Sequence, residues 1–137
     1  MAKVLRIDHI AILTGEMEQT LSFWRDALGM ELAQIEDVPA EMARIAFLPT
    51  GGSEIELVQP TSDDSGLSRY LEKRGAGMHH ICLEVDDIEG MLAQLKASEI
   101  QLINETPRLS ASGKKYAFIH PKSAQGVMVE LYELPQN

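Results

Sequence analysis

The sequence predicts an α+β fold in which two paired βαβββ modules form a curved sheet around a metal-binding trough. Two observations carry this expectation. The segment Arg6-Ile7-Asp8-His9-Ile10-Ala11-Ile12 reappears as Gly77-Met78-His79-His80-Ile81-Cys82-Leu83, with His9 and His80 71 residues apart. Each copy is followed by a helical pattern and ends in a strand holding one acid between apolar neighbours, Ile55-Glu56-Leu57 and Val129-Glu130-Leu131. Ala46-Phe47-Leu48 and Ala117-Phe118-Ile119 keep the spacing of 71, whereas Glu56 and Glu130 are 74 apart. The second hairpin therefore needs three extra residues, for which 121–126 is the natural place. The 137 residues are read as a single domain, with module one at about 4–60, a linker helix at about 61–76 and module two at about 77–134.

The elements follow in order. Residues 4–13 alternate and are rich enough in β-branched side chains for a strand, which Thr14 and Gly15 end. Met17, Leu21, Trp24 and Leu28 recur at helical spacing, and Gly29 fits the residue just past the helix end. Strands are expected at about 30–36, 43–49 and 53–59, with Pro39 between the first two and Thr50-Gly51-Gly52 turning between the last two. Residues 61–66 are polar and read as a loop, after which Leu67, Tyr70 and Leu71 mark a short helix closed by Gly75-Ala76-Gly77. A strand at 78–85 opens the second copy. Asp86 and Glu89 have the spacing of a capping box for a helix with Ile88, Leu92 and Leu95 on its apolar face. Strands at about 100–105, 115–120 and 126–133 complete the module.

Bulk properties narrow the function. A net charge of −9 argues against nucleic acid and anionic membrane as partners. The apolar runs are too short to span a bilayer and the first residues lack a signal-peptide core, so a cytoplasmic protein is expected. A lone cysteine, Cys82, excludes an internal disulfide and a cysteine-based zinc site, and its apolar strand makes it a buried thiol. Between Thr106 and Val129 the chain has Arg108, Lys114, Lys115 and Lys122 and no acid. Such a local basic segment suits a polyanionic ligand.

His9, Glu56, His80 and Glu130 are the candidate metal ligands. Side chains alternate along a strand, so the apolar neighbours of Glu56 and Glu130 take the helix-covered face and the acids take the other. If the copies pair about a pseudo-twofold, the two histidines and two acids converge. Two imidazoles and two carboxylates without a thiolate suit Co²⁺, Mn²⁺, Ni²⁺, Fe²⁺ or Zn²⁺. His79, next to His80, points to the other face, and His120 falls outside the repeat.

Paired βαβββ modules with this His, Glu, His, Glu order resemble the vicinal oxygen chelate superfamily, the glyoxalase/dioxygenase fold. Gly77-Met78-His79-His80-Ile81-Cys82-Leu83-Glu84-Val85, His120-Pro121-Lys122-Ser123 and Gly126-Val127-Met128-Val129-Glu130-Leu131 resemble the methylmalonyl-CoA epimerase family, as do Ile7-Asp8-His9-Ile10 and Glu56-Leu57-Val58-Gln59-Pro60. The resemblance implies a metal-dependent epimerase that inverts the α-carbon of methylmalonyl-CoA by proton transfer through a metal-stabilised enolate. It implies His9, Glu56, His80 and Glu130 as ligands of one divalent ion, cobalt first, with manganese, nickel or zinc as alternatives. Glu130 would be one proton-transfer carboxylate. A second glutamate of some members aligns with Arg44, which cannot act as a base at neutral pH, so Glu41 is the candidate substitute. Lys122, Lys114, Lys115 and Arg108 are candidates for the acyl carboxylate and the CoA phosphates of an acyl-CoA substrate. A homodimer is expected from the edge strands and the apolar residues around Trp24. The alternatives are a glyoxalase-type isomerase and a non-catalytic ligand-binding protein of the same fold.

Overall fold

Strand register repeats between the two halves of the chain. The computed structural model describes residues 1–135 and is α+β. Its contacts form two compact units, one of His9–His79 and one of residues 1–8 with the chain from His80 onward. In the first, β1 (Val4–Leu13) runs parallel to β4 (Glu54–Pro60). There β3 (Ala43–Pro49) lies antiparallel to β4, and β2 (Gln34–Val38) antiparallel to β3, giving the order β2-β3-β4-β1. In the second, β5 (Gly77–Val85) runs parallel to β8 (Val129–Glu133). There β7 (Lys115–Ile119) lies antiparallel to β8, and β6 (Arg108–Leu109) antiparallel to β7, giving β5-β8-β7-β6.

Glu56 stands opposite Ala11 on β1 and Phe47 on β3. Glu130 stands opposite Cys82 on β5 and Phe118 on β7. In both halves, then, the acid pairs with the residue two places beyond the histidine and with a phenylalanine. The halves differ in the last hairpin. Thr50 N–H donates to the Ser53 carbonyl in a tight turn, whereas a 3₁₀ turn at Pro121–Ala124 fills the longer one.

A parallel strand pair needs a crossover, and a helix supplies it in each unit. These are α1 (Met17–Leu21), continued by a wider-wound turn at Ser22–Ala27, and α3 (Ile88–Ala97). Both helix starts are tied to the last strand by equivalent side chains. Met17 N–H donates to Gln59 Oε1 and Ile88 N–H to Glu133 Oε1, each at 2.9 Å, satisfying donors that a helix start leaves open. Between the units' strands in sequence lies α2 (Gly66–Arg74), capped by Ser65 Oγ accepting from Ser68 N–H and ended at Gly75 with φ of 80°.

The cores differ in an informative way. In the His9–His79 unit both sheet faces are packed. Met17, Leu21, Ala46, Leu48 and Leu57 form one layer with α1, while Ala11, Leu13, Ala43, Ile45 and Val58 form another under Leu67, Tyr70 and Leu71 of α2. In the second unit the buried cluster of Val85, Ile88, Met91, Leu92, Ala117, Ile119 and Leu131 lies on the α3 side.

Several sequence expectations need correction. The first helix loosens after Leu21, with Leu28 N–H reaching the Phe23 carbonyl, and β2 starts at Gln34 rather than near 30. The capping residue of α3 is Asp87, whose Oδ1 accepts from Gly90 N–H, whereas Asp86 Oδ1 accepts from Lys3 N–H. Glu89 pairs with Lys115 instead of closing a capping box. The strand expected at 100–105 is a single bridge between Leu102 and Ile119. There Asn104 Oδ1 takes the Phe118 N–H and Ser123 Oγ takes the Gln101 N–H, so side chains replace a continuous ladder. No helix among the described residues is long and apolar enough to cross a membrane.

Candidate active site

Each unit brings one predicted histidine onto its predicted acid. His9 Nδ1 lies 3.2 Å from Glu56 Oε2, with side-chain exposures of 10% and 13%. His80 Nε2 lies 3.0 Å from Glu130 Oε1, with exposures of 12% and 16%. Alternation along β4 and β8 puts Leu57 and Leu131 into the helix-side cores and turns Glu56 and Glu130 to the opposite faces. A carboxylate this far out of water is costly unless a cation or donors compensate it. An imidazole beside each acid offers nitrogen and oxygen donors suited to a divalent first-row metal. Groups of ligand atoms spaced to hold a metal ion occur among the described residues, and His80 with Glu130 is part of one. The donor chemistry therefore fits such an ion.

The other singled-out residues separate by environment. The His79 ring stands 4.6 Å from that of Tyr70 on α2, edge to face, which is a packing role. His120 Nδ1 accepts from Lys122 N–H and caps the 3₁₀ turn. Cys82 is a buried free thiol. Arg44 is exposed and bonded to Asp37 at 2.8 Å, and its guanidinium holds the Asp37 carboxyl below the usual range. Glu41 is exposed on the 3₁₀ turn Pro39–Glu41, just before Met42 in the left-handed region.

The basic segment divides between the sheet's faces. Lys115 Nζ reaches Glu89 Oε1 of α3 at 2.8 Å, so this lysine belongs to the helix side. The Lys114 Nζ instead lies 4.8 Å from the centre of the Tyr132 ring. Tyr132 shares the Glu130 face of β8 by alternation. Burial pushes its phenol above the ordinary range, against the opposing pull of Lys114, so the ring is neutral near pH 7. Lys122 and Arg108 are exposed, on the 3₁₀ turn and on β6.

Further side chains on this face were not picked out from the sequence. The Phe118 ring meets His80 edge to face at 5.6 Å, and Tyr116 stands 6.4 Å from Phe118. Glu84, two same-face steps from His80, accepts from Arg6 Nε at 3.0 Å. Counting every second residue along β5, β7 and β8 from His80 and Glu130 finds all of them.

The sequence and the fold are both similar to those of known proteins. Residues 8–118 match the model of the glyoxalase/bleomycin resistance protein/dioxygenase superfamily. The mitochondrial methylmalonyl-CoA epimerase of Mus musculus is 35% identical over 130 residues, covering 94% of this chain and 73% of the relative. The ethylmalonyl-CoA/methylmalonyl-CoA epimerase of Cereibacter sphaeroides is 34% identical over 131 residues, covering 94% of this chain and 98% of the relative. A Streptomyces coelicolor methylmalonyl-CoA epimerase variant, solved with 2-nitronate-propionyl-CoA, superposes with a TM-score of 0.85 at 31% identity, covering 96% of this chain and 95% of that one.

Proposed function

The chain belongs to the glyoxalase/bleomycin resistance protein/dioxygenase superfamily and, within it, to the methylmalonyl-CoA epimerase family, and we propose that it inverts the α-carbon of methylmalonyl-CoA. The observation that carries this reading is the repeated His–Glu pair, at the same strand register in both units and nearly buried in each. His9, Glu56, His80 and Glu130 would hold one divalent ion. When bound, that ion supplies Lewis acidity for the negative charge that develops on the thioester oxygen as the α-proton leaves.

The chain's own residues handle the proton. Glu130 takes the α-proton on a carboxylate oxygen, breaking the C–H bond and leaving a planar α-carbon. Its side chain is only 16% exposed beside the His80 ring, which limits competition from bulk water for that proton. A proton returned to the opposite face completes the inversion, and a second carboxylate is the simplest donor. Glu41 is proposed for that role, because Arg44 keeps its proton at neutral pH and is bound to Asp37. Arg108, Lys114 and Lys122 are proposed to receive the anionic groups of the CoA thioester. Lys115, on the helix side with Glu89, is the weakest member of that proposed set.

The proposal extends to cobalt as the preferred ion, a homodimer and a cytoplasmic location. Exposed Phe23 and Leu28 beside Trp24 support the dimer. Metal analysis, sedimentation and cell fractionation test the three in turn.

The alternative within the superfamily is isomerisation of a thiol–ketoaldehyde adduct, which also moves a proton beside a carbonyl. Metal-loaded protein in D₂O is expected to place deuterium at the α-carbon of methylmalonyl-CoA and to leave a hemithioacetal unchanged, as read by NMR. Turnover of the hemithioacetal without α-deuteration of methylmalonyl-CoA would sink the epimerase reading.

A further inference from the structure

A phenylalanine stands directly opposite each candidate ligand acid, Phe47 opposite Glu56 and Phe118 opposite Glu130. Residues paired in this way share a face of the sheet. In the first unit Phe47 packs against the apolar layer under α2. The second unit has its buried cluster on the α3 side, with Ala117, Ile119 and Leu131 in it. Phe118 lies between two of those residues on β7 and takes the other face, so that core does not account for it. Its ring instead meets the His80 ring edge to face, with centres 5.6 Å apart and planes at 89°. Tyr116, two residues back on the same face, has its ring 6.4 Å from that of Phe118 at 85°.

Resting on the epimerase reading and its ligand set, we propose that Phe118 is a positioning residue for the metal. Its ring holds the His80 imidazole in the plane from which Nε2 faces Glu130, and so sets the affinity for the ion. The torsion that turns an imidazole about its Cβ–Cγ bond has broad wells, so a ligand histidine needs neighbours that fix its plane. The Phe118 ring is such a neighbour, at the distance and perpendicular setting of a favourable aromatic pair. Rotation of the imidazole would carry Nε2 away from Glu130 Oε1, from which it lies 3.0 Å. Tyr116 in turn restricts the swing of the Phe118 ring. Phe118 is thus the neighbour of both donors, of Glu130 through strand pairing and of His80 through ring contact. It offers the ion no ligand atom itself, and acts through the histidine.

The test is calorimetric titration of the metal-free protein with Co²⁺, in the absence of substrate, together with the visible absorption spectrum of the Co²⁺-saturated protein, which reports ligand geometry. Phe118→Leu is expected to weaken Co²⁺ binding about tenfold, the upper scale of one edge-to-face contact, and to alter the spectrum. Phe118→Tyr keeps the ring and is expected to restore both. Phe118→Met replaces the leucine variant if that one folds poorly. Ile119→Val, one step along β7 in the α3-side cluster, is expected to lower the melting temperature and leave Co²⁺ affinity and spectrum unchanged. Wild-type affinity and spectrum in Phe118→Leu overturn the proposal. Equal weakening by Ile119→Val also overturns it, because the effect is then a general loosening of the sheet. Failure of wild-type protein to bind Co²⁺ overturns it together with the ligand set. Phe118-dependent Co²⁺ binding without α-deuteration of methylmalonyl-CoA leaves this inference standing and removes the reaction; α-deuteration with Co²⁺ binding indifferent to Phe118 does the reverse.

Discussion

Glu130→Gln is expected to lower α-carbon deuterium uptake from D₂O by about 10²–10⁴-fold, the usual contribution of a positioned acid or base. The amide matches the carboxylate in shape, so the strand register with Phe118 and Cys82 is retained. What it loses is basicity and one negative charge. An amide oxygen does not hold a proton at neutral pH, and the His80 ring faces a weaker acceptor at the 3.0 Å contact. The loss is expected to exceed that of any single change at Arg108, Lys114, Lys115 or Lys122, because those residues are proposed to bind the substrate without moving its α-proton. An equal or smaller loss contradicts the role given to Glu130. In the same assay, unchanged turnover by Glu41→Gln removes Glu41 as the second carboxylate.

His80→Ala is expected to reduce bound metal to a small fraction of the wild-type content and to bring deuterium uptake close to background. Loss of one imidazole removes a donor and leaves Glu130 nearly buried beside a space the ring had filled. Elemental analysis of the purified variant reads the first effect directly. If His80→Ala keeps its metal, His80 is not a ligand. His9→Ala is expected to behave alike, since His9 and Glu56 occupy the equivalent register in the other unit. The paired result matters, because a site served by one unit alone would respond to only one of the two substitutions.

How much of this was legible in the sequence depends on the range of the interactions involved. The repeat was readable because His9 and His80, and Phe47 and Phe118, keep one spacing, and strand pairing then sets both acids in the same register. The face taken by Glu56 and Glu130 followed from alternation alone. Long-range side-chain bonds were not readable. Asp86 and Asp87 are adjacent acids, and only the contact of Asp86 with Lys3, far away in sequence, leaves Asp87 as the cap. The segment 100–105 looks like a strand by composition, but Asn104 and Ser123 take the hydrogen bonds a ladder would need. Lys114 and Lys115 formed one basic patch on paper. Their separation needs the first strand residue of β7 to be known, since one step along the chain changes which side of the sheet a side chain meets.

The most direct test of the central claim is deuterium uptake at the α-carbon of methylmalonyl-CoA by one preparation in three states: as metal-loaded protein, after removal of the metal by a chelator, and after reloading with Co²⁺. Rapid uptake, its loss on stripping and its return on reloading are the predicted results. Undiminished uptake by the stripped protein, or no uptake by the loaded one, would contradict the account.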